Sequence, residues 1–484
     1  MAKKAPSGPA PPVLRKLGIN ETYQPAMYQL DQYRGTTVSC RYEIPPHLAA
    51  AESRAQLEEA VKVAVTPSWV QLPSLDLTQH IKWLYLPEHD RFENKVQEIF
   101  CAQLDDRFPD VAIRQPDWTL TIIRQGNAPA IEVLLTWNHP RFDAMGAKVI
   151  HEDLLERLNA LNNGPHERTG LDGDVLTLPP TAPVLPTPLE GLKRLPVDLK
   201  YLIKAFWEET RPEFLNRDVS WAVWCPVRPS PYKTQFRTFF IDNASLLAIQ
   251  ALCRQNQTTI TGLINGLALI AFSSRLDVAA APAFQSSTVV DHRRNLPPAP
   301  QPDAPWGRSD RAVSNYVTQC LHKWDTALVA RGGRDLSADL QRELWALSAQ
   351  NRREIVDRLE AGLRNDVVGL FQYVTDWKQT MRGMANRTRQ FSWLVTNIGV
   401  LDGGNASTTT TTAGGGDDGQ KWSIGRAQFG LSTEVPAAAI EFSPVSVAGR
   451  GMSVSASWAD VAVDVAMGEG IMADLERWLG QLAR

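Results

Sequence analysis

The sequence predicts an α/β protein of the α+β kind, built from two lobes that each contain a mixed β-sheet. The chain has 484 residues, which is more than one hydrophobic core usually holds, and this length favours two lobes. Its apolar content of 43% and charged content of 21% are typical of a globular protein. Strand and helix patterns follow one another without strict β–α–β alternation, which favours mixed sheets over a fully parallel one.

Charge, apolar runs and cysteine spacing exclude several classes of protein. The net charge is −3 and the sequence pI is about 6.3, so neither nucleic acid nor an anionic membrane is expected as a partner. No apolar run reaches the roughly 18 residues that span a bilayer. The Pro-rich start lacks the apolar core of a signal peptide, and the cysteines never form a Cys-x-x-Cys pair. We expect a cytoplasmic monomer with a flexible tail over residues 1–16.

The first half of the chain predicts one lobe over residues 17–165. Alternating, β-branched segments predict strands, and apolar residues at helical spacing predict helices. Residues 166–230 begin with a stretch rich in Pro, Gly and Thr, and we interpret them as the connection between the lobes. The predicted strands of the first lobe are 35–44, 118–123 and 131–137, and its predicted helices are 49–64 and 147–161.

The second lobe is predicted over residues 231–484. Within it, a Thr- and Gly-rich stretch at 402–419 cannot bury enough apolar surface to order itself, which predicts a mobile loop. The predicted strands are 235–241, one that ends at 290, 391–400, 422–429, 438–447 and 452–458. The predicted helices are 198–210, just before this lobe, then 243–254, 261–274, a long charged region over about 335–385, and 471–484.

The candidate catalytic residue is His139, which follows the apolar strand 131–137 by two residues. A strand end holds a side chain on rigid backbone while exposing it in a loop. A neutral imidazole can take a proton near pH 7 because its unperturbed pKa is about 6.5, and acyl transfer to an alcohol needs such a base. Asp143 lies four residues on, at the predicted start of a helix, where the helix dipole favours a carboxylate.

Spacing alone leaves structural interpretations open for all of these residues. A histidine after a buried strand is often structural, and Asp143 can act as a helix cap alone. Arg293 and Arg294 can be a solvated surface pair, and Asn397 can pair backbone groups at a strand end. His151 suggests a metal site, but the His-Glu-x-x-His pattern of zinc proteases is absent. We therefore expect no metal.

Four segments of the chain resemble one enzyme family, and they occur in the same order as in that family. Asn138–Leu155 reads NHPRFDAMGAKVIHEDLL and resembles the His-x-x-x-Asp-Gly loop and following helix of fungal alcohol acetyltransferases. Gln29–Thr37 is similar to the N-terminal strand region of trichothecene 15-O-acetyltransferases. Val395–Val400 is similar to a Ser-Asn-Leu-Gly strand of the family, and Trp422–Trp458 to its last sheet segment. The resemblance covers about residues 17–484 and extends to chloramphenicol acetyltransferase, BAHD acyltransferases and peptide-synthetase condensation domains.

The resemblance implies two chloramphenicol-acetyltransferase-like lobes, each a mixed sheet flanked by helices, with a tunnel between them. His139 would stand in the tunnel as the general base, reached by acyl-CoA from one side and by an alcohol from the other. Asp143 would order the loop through an arginine, for which Arg293 is favoured and Arg294 is the alternative.

Other positions of the tunnel also follow from the resemblance. Asn397 or a backbone N–H near Gly399 would stabilise the oxyanion. Asn138 replaces the first histidine of the condensation-domain pair and is a further tunnel candidate. Ala144 replaces the glycine that follows the aspartate in the family. The sequence does not identify the residues that contact CoA.

The implied function is transfer of an acetyl group from acetyl-CoA, or another acyl group from its acyl-CoA, to a hydroxyl of a secondary metabolite. A trichothecene-like terpenoid is one candidate acceptor, and no covalent enzyme intermediate is required. Two alternatives remain open. In the first, the enzyme is condensation-like and uses a donor bound to a carrier protein or catalyses a cyclisation. In the second, suggested by Ala144, the protein is a catalytically silent binding protein of the same fold.

Overall fold

A computed structural model describes most of the chain. The described residues are 15–65, 74–108, 117–161, 170–177, 185–210, 218–229, 231–296, 308–325, 335–385, 387–404 and 421–484. Most of the predicted tail 1–16 and of the predicted mobile loop 402–419 lies outside these ranges. Every helix within them is too short or too polar to span a bilayer.

The strands are rich in β-branched and aromatic residues, as strands usually are. In chain order they are β1 Thr36–Glu43, β2 Ser74–Asp76, β3 Ile81–Leu86, β4 Trp118–Gln125, β5 Ala130–Trp137, β6 Leu171–Asp172, β7 Val175–Thr177, β8 Thr234–Asp242, β9 Ala283–Asp291, β10 Val317–Asp325, β11 Phe391–Val395, β12 Val400–Leu401, β13 Ser423–Leu431, β14 Ala438–Val447 and β15 Gly451–Ala459.

The longer helices carry apolar residues at helical spacing and bury that face. In chain order the helices are α1 Tyr23–Gln29, α2 Pro46–Ala49, α3 Arg54–Val65, α4 Phe92–Asp105, α5 Ala144–Leu161, α6 Leu189–Leu192, α7 Leu199–Thr210, α8 Asn243–Gln255, α9 Ile260–Ser273, α10 Ala338–Glu360, α11 Val367–Leu370, α12 Trp377–Gly383 and α13 Val465–Leu482.

The first sheet has the strand order β13-β1-β5-β4-β3. β1 is antiparallel to both β13 and β5, whereas β3 and β4 are parallel, so the sheet is mixed as expected. β13 belongs to the segment 231–484 that we assigned wholly to the second lobe, and this assignment needs a correction. The strand lies in the first sheet because its backbone pairs with β1 along the whole length of β1, and the pattern within one segment does not reveal such a partner.

Helices cover both faces of the first sheet, and the alternation along β5 explains how. Successive side chains of a strand point to opposite faces. Val133 and Leu135 belong to the core that α3 and α5 cover, whereas Leu134 packs with Phe100 and Leu104 of α4. β5 is therefore buried on both faces and fixes the start of the loop that follows it.

The second sheet has the strand order β10-β9-β11-β14-β15-β8, with β12 beside β14. β11 is parallel to β9 and β14, and the other main pairs are antiparallel, so this sheet is mixed as well. Helices α8, α9, α10 and α13 pack on one face, where Phe272, Trp393, Trp458 and Trp478 share one core.

The opposite face of the second sheet points towards the first sheet and is more polar. On β14, Ile440 and Phe442 face the helices, so Glu441 and Ser443 between and beside them point to the other face. On β15, Ser457 lies directly opposite Glu441 in the antiparallel register. The interior between the two sheets therefore contains a buried acidic residue.

Several elements were not predicted from the sequence. The strands β3 and β10 and the helices α1 and α4 were missed, and β2, β7 and β6 form a small third sheet. The long helical region predicted over about 335–385 is divided into α10, α11 and α12. Gly362 ends α10 because its φ of +64° lies in the left-handed region that stops a helix.

Candidate active site

His139 lies in a short 3₁₀ turn, His139–Arg141, between β5 and α5. The indole N–H of Trp137, the last residue of β5, donates to the carbonyl of Phe142 at 2.7 Å. The two rings also stack, with centroids 4.8 Å apart. The loop is thus closed on itself by a buried tryptophan, which holds the half-buried His139 side chain in one place.

Asp117, just before β4, braces the same turn from outside. Its backbone carbonyl accepts from the N–H of Asn138 at 2.9 Å, and its Oδ1 accepts from Nε of Arg141 at 2.7 Å. The Asn138 side chain is buried, and its Oδ1 has no hydrogen-bond partner among the described residues. The main chain at Asn138 therefore supports the turn.

Asp143 is buried and fully hydrogen-bonded. Arg293 donates to it through two nitrogens, Nη1 to Oδ2 at 2.9 Å and Nη2 to Oδ1 at 2.7 Å. The backbone N–H of Gly146 donates to Oδ1 at 3.0 Å, and that of Tyr316 donates to Oδ2 at 2.8 Å. Each carboxylate oxygen therefore has two donors, which is close to its full capacity.

Arg293 connects the His139 loop to the second sheet. It follows β9 and also donates to Asp291 at 2.7 Å and to the carbonyls of Ala312 and Ser314 at 3.0 and 2.9 Å. Its side chain is 1% exposed, whereas the neighbouring Arg294 is exposed. Of the two arginines expected near Asp143, the structure brings Arg293 to the loop and leaves Arg294 at the surface.

Gln24 of α1 is the polar neighbour of His139. Its Nε2 lies 2.7 Å from Nδ1 of the imidazole and 3.2 Å from the hydroxyl of Tyr23, and the Tyr33 ring lies edge-on to His139 at 6.3 Å. Burial lowers the pKa of His139 below 6.5, although the nearby charge of Asp143 acts in the opposite direction. The ring is therefore neutral at pH 7, as a general base must be.

A cavity between the two sheets contains His139. Its empty volume is about 840 Å³, including the part that is open to solvent. Residues from both sheets line it, so it occupies the position at which we expected a tunnel. The polar residues that line it include His139, Asp143, Asp291, Asn397, Glu434 and Glu441.

Asn397 lines the cavity, but the N–H of Gly399 is engaged elsewhere. Asn397 donates through Nδ2 to Oγ1 of Thr261 at 3.1 Å, and its Oδ1 accepts from the N–H of Gly399 at 2.8 Å. Gly399 has a φ of +76°, so it forms a tight turn that suits this bond. Of the two expected oxyanion donors, Asn397 keeps one amide hydrogen, whereas the Gly399 N–H is already bonded.

Ala144 is the first residue of α5 and has no left-handed backbone angle. Alanine is the most favourable residue in a helix, so this position does not need the family glycine. Ala144 is 6% exposed and lines the cavity. Its methyl group therefore narrows the cavity without distorting the loop.

His151 has a structural environment. Its Nδ1 lies 3.0 Å from the Tyr42 hydroxyl and its Nε2 lies 3.1 Å from the carbonyl of Val38. Burial lowers its pKa to about 4. In the described part of the chain, no group of three or more His, Cys, Asp or Glu side chains is arranged to hold a metal ion.

Sequence reasoning missed Gln24 beside His139 and the cavity residues Glu434 and Glu441. Gln24 is 115 residues from His139, and no local pattern relates the two. Glu434 lies in the loop between β13 and β14, where an acidic residue is ordinary. Glu441 did leave a signal, because a charged residue inside the apolar strand 438–447 is rarely buried without a purpose.

Comparison with known proteins identifies the family. A family model described as alcohol acetyltransferase matches residues 76–468, which is well over half of the chain. The probable alcohol acetyltransferase FCK4 of Fusarium pseudograminearum strain CS3096 is 22% identical over 503 residues, covering 98% of this chain and 96% of that protein.

Solved structures show the same fold at low identity. The trichothecene 15-O-acetyltransferase TRI3 of Fusarium sporotrichioides matches with a TM-score of 0.64 at 12% identity, covering 97% of this chain and 95% of that one. The first condensation domain of the calcium-dependent antibiotic synthetase matches with a TM-score of 0.55 at 12% identity, covering 97% and 95%. The expected two-lobed fold is confirmed. The chain belongs to the alcohol acetyltransferase family and is an acyltransferase.

Proposed function

We propose that this enzyme transfers an acetyl group from acetyl-CoA to the hydroxyl of a small secondary metabolite, with His139 as the general base. The observation that carries the proposal is the position of the His139 imidazole, which stands on a braced loop inside a cavity between the two sheets. A hydroxyl becomes a competent nucleophile when its proton is removed in the transition state, an effect of roughly 10²–10⁴-fold.

The proton balance of the reaction requires one tautomer of His139. Nε2 takes the hydroxyl proton while the alcohol oxygen attacks the thioester carbonyl, so the ring proton must lie on Nδ1. The side-chain amide of Gln24 can accept a hydrogen bond from the Nδ1–H group through Oε1 if it rotates by half a turn, because its oxygen and nitrogen exchange places. This rotation gives up the long contact of 3.5 Å between Oε1 and Nδ2 of Asn315. Gln24 is therefore proposed as a positioning residue that holds the basic tautomer.

The second half of the reaction expels the thiolate. The tetrahedral oxyanion forms as the C–O bond is made, and Asn397 is the proposed donor because one hydrogen of its Nδ2 is not used by Thr261. Such donors usually supply the largest electrostatic term in acyl transfer. When the C–S bond breaks, protonated His139 returns its proton to sulfur, giving the ester and free CoA thiol.

Asp143 and Arg293 are proposed to support the loop and not to take part in proton transfer. All lone pairs of Asp143 are engaged by Arg293 and two backbone N–H groups. The polar partner of the imidazole is instead the side-chain amide of Gln24. The aspartate thus acts on His139 through the position of the backbone.

The test is an acetyl-transfer assay with a panel of acceptors, followed by mass spectrometry. The panel contains a trichothecene-type terpenoid alcohol and simple primary and secondary alcohols, each with acetyl-CoA. We expect formation of an acetate ester together with one equivalent of free CoA thiol. Ester formed only from an acetylated carrier protein would replace this proposal by a condensation-like function, and binding without turnover would indicate a silent protein.

A further inference from the structure

Two glutamates, Glu434 and Glu441, line the same cavity as His139, and we call them the acidic pair. Glu441 is 2% exposed, and its Oε1 has no hydrogen-bond partner among the described residues. Glu434 is half-buried. Burying a carboxylate oxygen without a hydrogen-bond partner is unfavourable by several kcal/mol, so the open Oε1 of Glu441 inside a cavity needs an explanation.

Arg389 is the cation whose charge acts on Glu441, but it does not neutralise the acidic pair. Arg389 is buried, and its charge lowers the pKa of Glu441 by less than burial and the charge of Glu434 raise it. Its Nη1 donates to the carbonyls of Val435, Ala437 and Ala438 at 2.6, 3.1 and 3.1 Å. The guanidinium is therefore used to hold the loop between β13 and β14.

The protonation of the acidic pair reflects this lack of a cation. Burial raises the pKa of Glu434 to about 7. Burial, and next the charge of Glu434, raise the pKa of Glu441 well above its usual range. A bound positive charge would lower both of these raised pKa values.

Aromatic rings stand in the wall of the same cavity. Tyr23 and Phe371 both line it, and they meet Trp377 in one cluster with centroid distances of 5.3, 5.7 and 4.9 Å. Burial, and next the negative charge of Glu434, raise the pKa of the Tyr23 phenol. Aromatic faces beside carboxylates are the surroundings that alkylammonium groups prefer.

We propose that the acceptor alcohol of this enzyme carries a basic nitrogen, whose positive charge the acidic pair binds inside the cavity. This inference rests on the proposed function, because it assumes that the acceptor occupies the cavity while its hydroxyl reaches His139. A neutral acceptor can bond to Oε1 of Glu441 but leaves the charge of the pair uncompensated. A protonated tertiary amine satisfies the acidic pair and contacts the rings of Tyr23 and Phe371.

A matched pair of probes tests the inference by equilibrium binding. The first probe is [4-(dimethylaminomethyl)cyclohexyl]methanol, whose tertiary amine is charged at pH 7.5 and gives no stable amide. The second is its carbon analogue, [4-(2-methylpropyl)cyclohexyl]methanol. We expect the full-length protein to bind the amine at least tenfold more tightly than the analogue, by isothermal titration calorimetry. Equal affinity for the two probes, or binding of neither, would overturn the inference.

Variants identify the source of the preference. In the double variant Glu434→Gln, Glu441→Gln, we expect the ratio of the two affinities to fall below threefold. The matched control Glu88→Gln changes an exposed glutamate outside the cavity and should keep the full preference. A preference that survives in the double variant would overturn the inference. If the double variant does not fold, the probe comparison on the unmodified protein still decides.

The outcome is separable from that of the proposed function. His139→Ala should keep the preference for the amine while losing ester formation, because binding of the charge does not need the base. Ester formation without an amine preference would remove this inference and leave the proposed function intact. An amine preference without acetyl transfer would remove the proposed function.

Discussion

Asp143 and Glu441 are two buried carboxyl groups that line one cavity, and their surroundings differ in a simple way. Asp143 receives two N–H groups of Arg293 and two backbone N–H groups. Glu441 has an oxygen without a partner, and the nearby Arg389 is occupied by backbone carbonyls. Both residues are 2% exposed, so exposure alone does not distinguish them.

The difference in hydrogen-bond partners distinguishes a carboxylate that stabilises the fold from one that has an oxygen free to bind a ligand. A buried charge whose partners all come from the protein fixes the fold around it. A buried carboxyl with unused lone pairs keeps its proton until a ligand supplies a donor or a positive charge. Hydrogen-bond capacity, and not burial, therefore indicates which acidic residue of this cavity contacts the acceptor.

The largest effect on stability is expected at Asp143, whose two oxygens both have hydrogen-bond donors. Arg293→Met leaves Asp143 as an unpaired buried charge, and removal of one partner of such a pair typically costs about 3–5 kcal/mol. Urea denaturation measures this loss in the free energy of unfolding. The control Arg294→Met changes an exposed neighbour and should stay within about 0.5 kcal/mol.

A second substitution checks the physical reason for that loss. Asp143→Asn added to Arg293→Met removes the unpaired charge, so we expect it to recover part of the stability. A double variant that is less stable than Arg293→Met would contradict the assignment of Asp143 as a carboxylate held by Arg293.

Gln24→Leu tests the polar contact between Gln24 and His139, and its expected effect is smaller than that of Arg293→Met. The variant cannot hold the tautomer that has its proton on Nδ1, so we expect kcat to fall by about tenfold, or about 1.4 kcal/mol, at a nearly constant KM. Thermal unfolding should be unchanged, and Gln379→Leu on the exposed side of α12 should have full activity. An equal loss in both variants would remove the positioning role.

The smallest effect concerns the acidic pair. The free energy of unfolding should depend on pH through Glu434. Its pKa is raised to about 7 in the folded protein from the 4.5 of an unperturbed glutamate. The folded state therefore binds the extra proton between these values, and its stability falls as pH rises through this window. Glu434→Gln should remove about 1 kcal/mol of this pH dependence, less than full linkage because the group is half-buried.

The difference in pH-dependent stability between the unmodified protein and Glu434→Gln isolates the contribution of Glu434. His151 has a pKa lowered to about 4, so its contribution makes stability rise with pH over the same range. Unfolding curves of the unmodified protein and of Glu434→Gln, recorded from pH 5 to pH 8, cancel that contribution. A pH-independent difference would contradict the proposed protonation of Glu434.

Much of the fold could be predicted from the sequence because its strands are strongly apolar. The β5 strand and most of α5 were located on periodicity alone, although α5 begins at Ala144 and not at the predicted residue 147. The segment Asn138–Leu155 indicated the family. The place of β13 could not be predicted, since its pairing with β1 joins residues almost 400 positions apart along the chain. Periodicity gives the faces of a strand but not its partner.

Site residues that lie close together in the sequence could be predicted, whereas those that meet only through tertiary packing could not. His139 and Asp143 lie in one short segment, and the candidate Arg293 came from the family resemblance. Gln24 could not be found, because α1 meets the His139 turn only through tertiary packing between residues 115 positions apart. The bond between Gly399 and Asn397 also depends on a local turn that the sequence does not specify. Glu441 could have been identified from the sequence, because it is an acidic residue within an apolar strand.

The most direct test of the account is the rate of ester formation by His139→Ala. With acetyl-CoA and the best acceptor of the panel, we expect kcat/KM to fall by roughly 10²–10⁴-fold while the unfolding transition stays the same. His89→Ala, whose side chain is 84% exposed, is the matched control and should keep full activity. A folded His139→Ala enzyme that retains activity within threefold of the unmodified protein would contradict the role of His139 as the base.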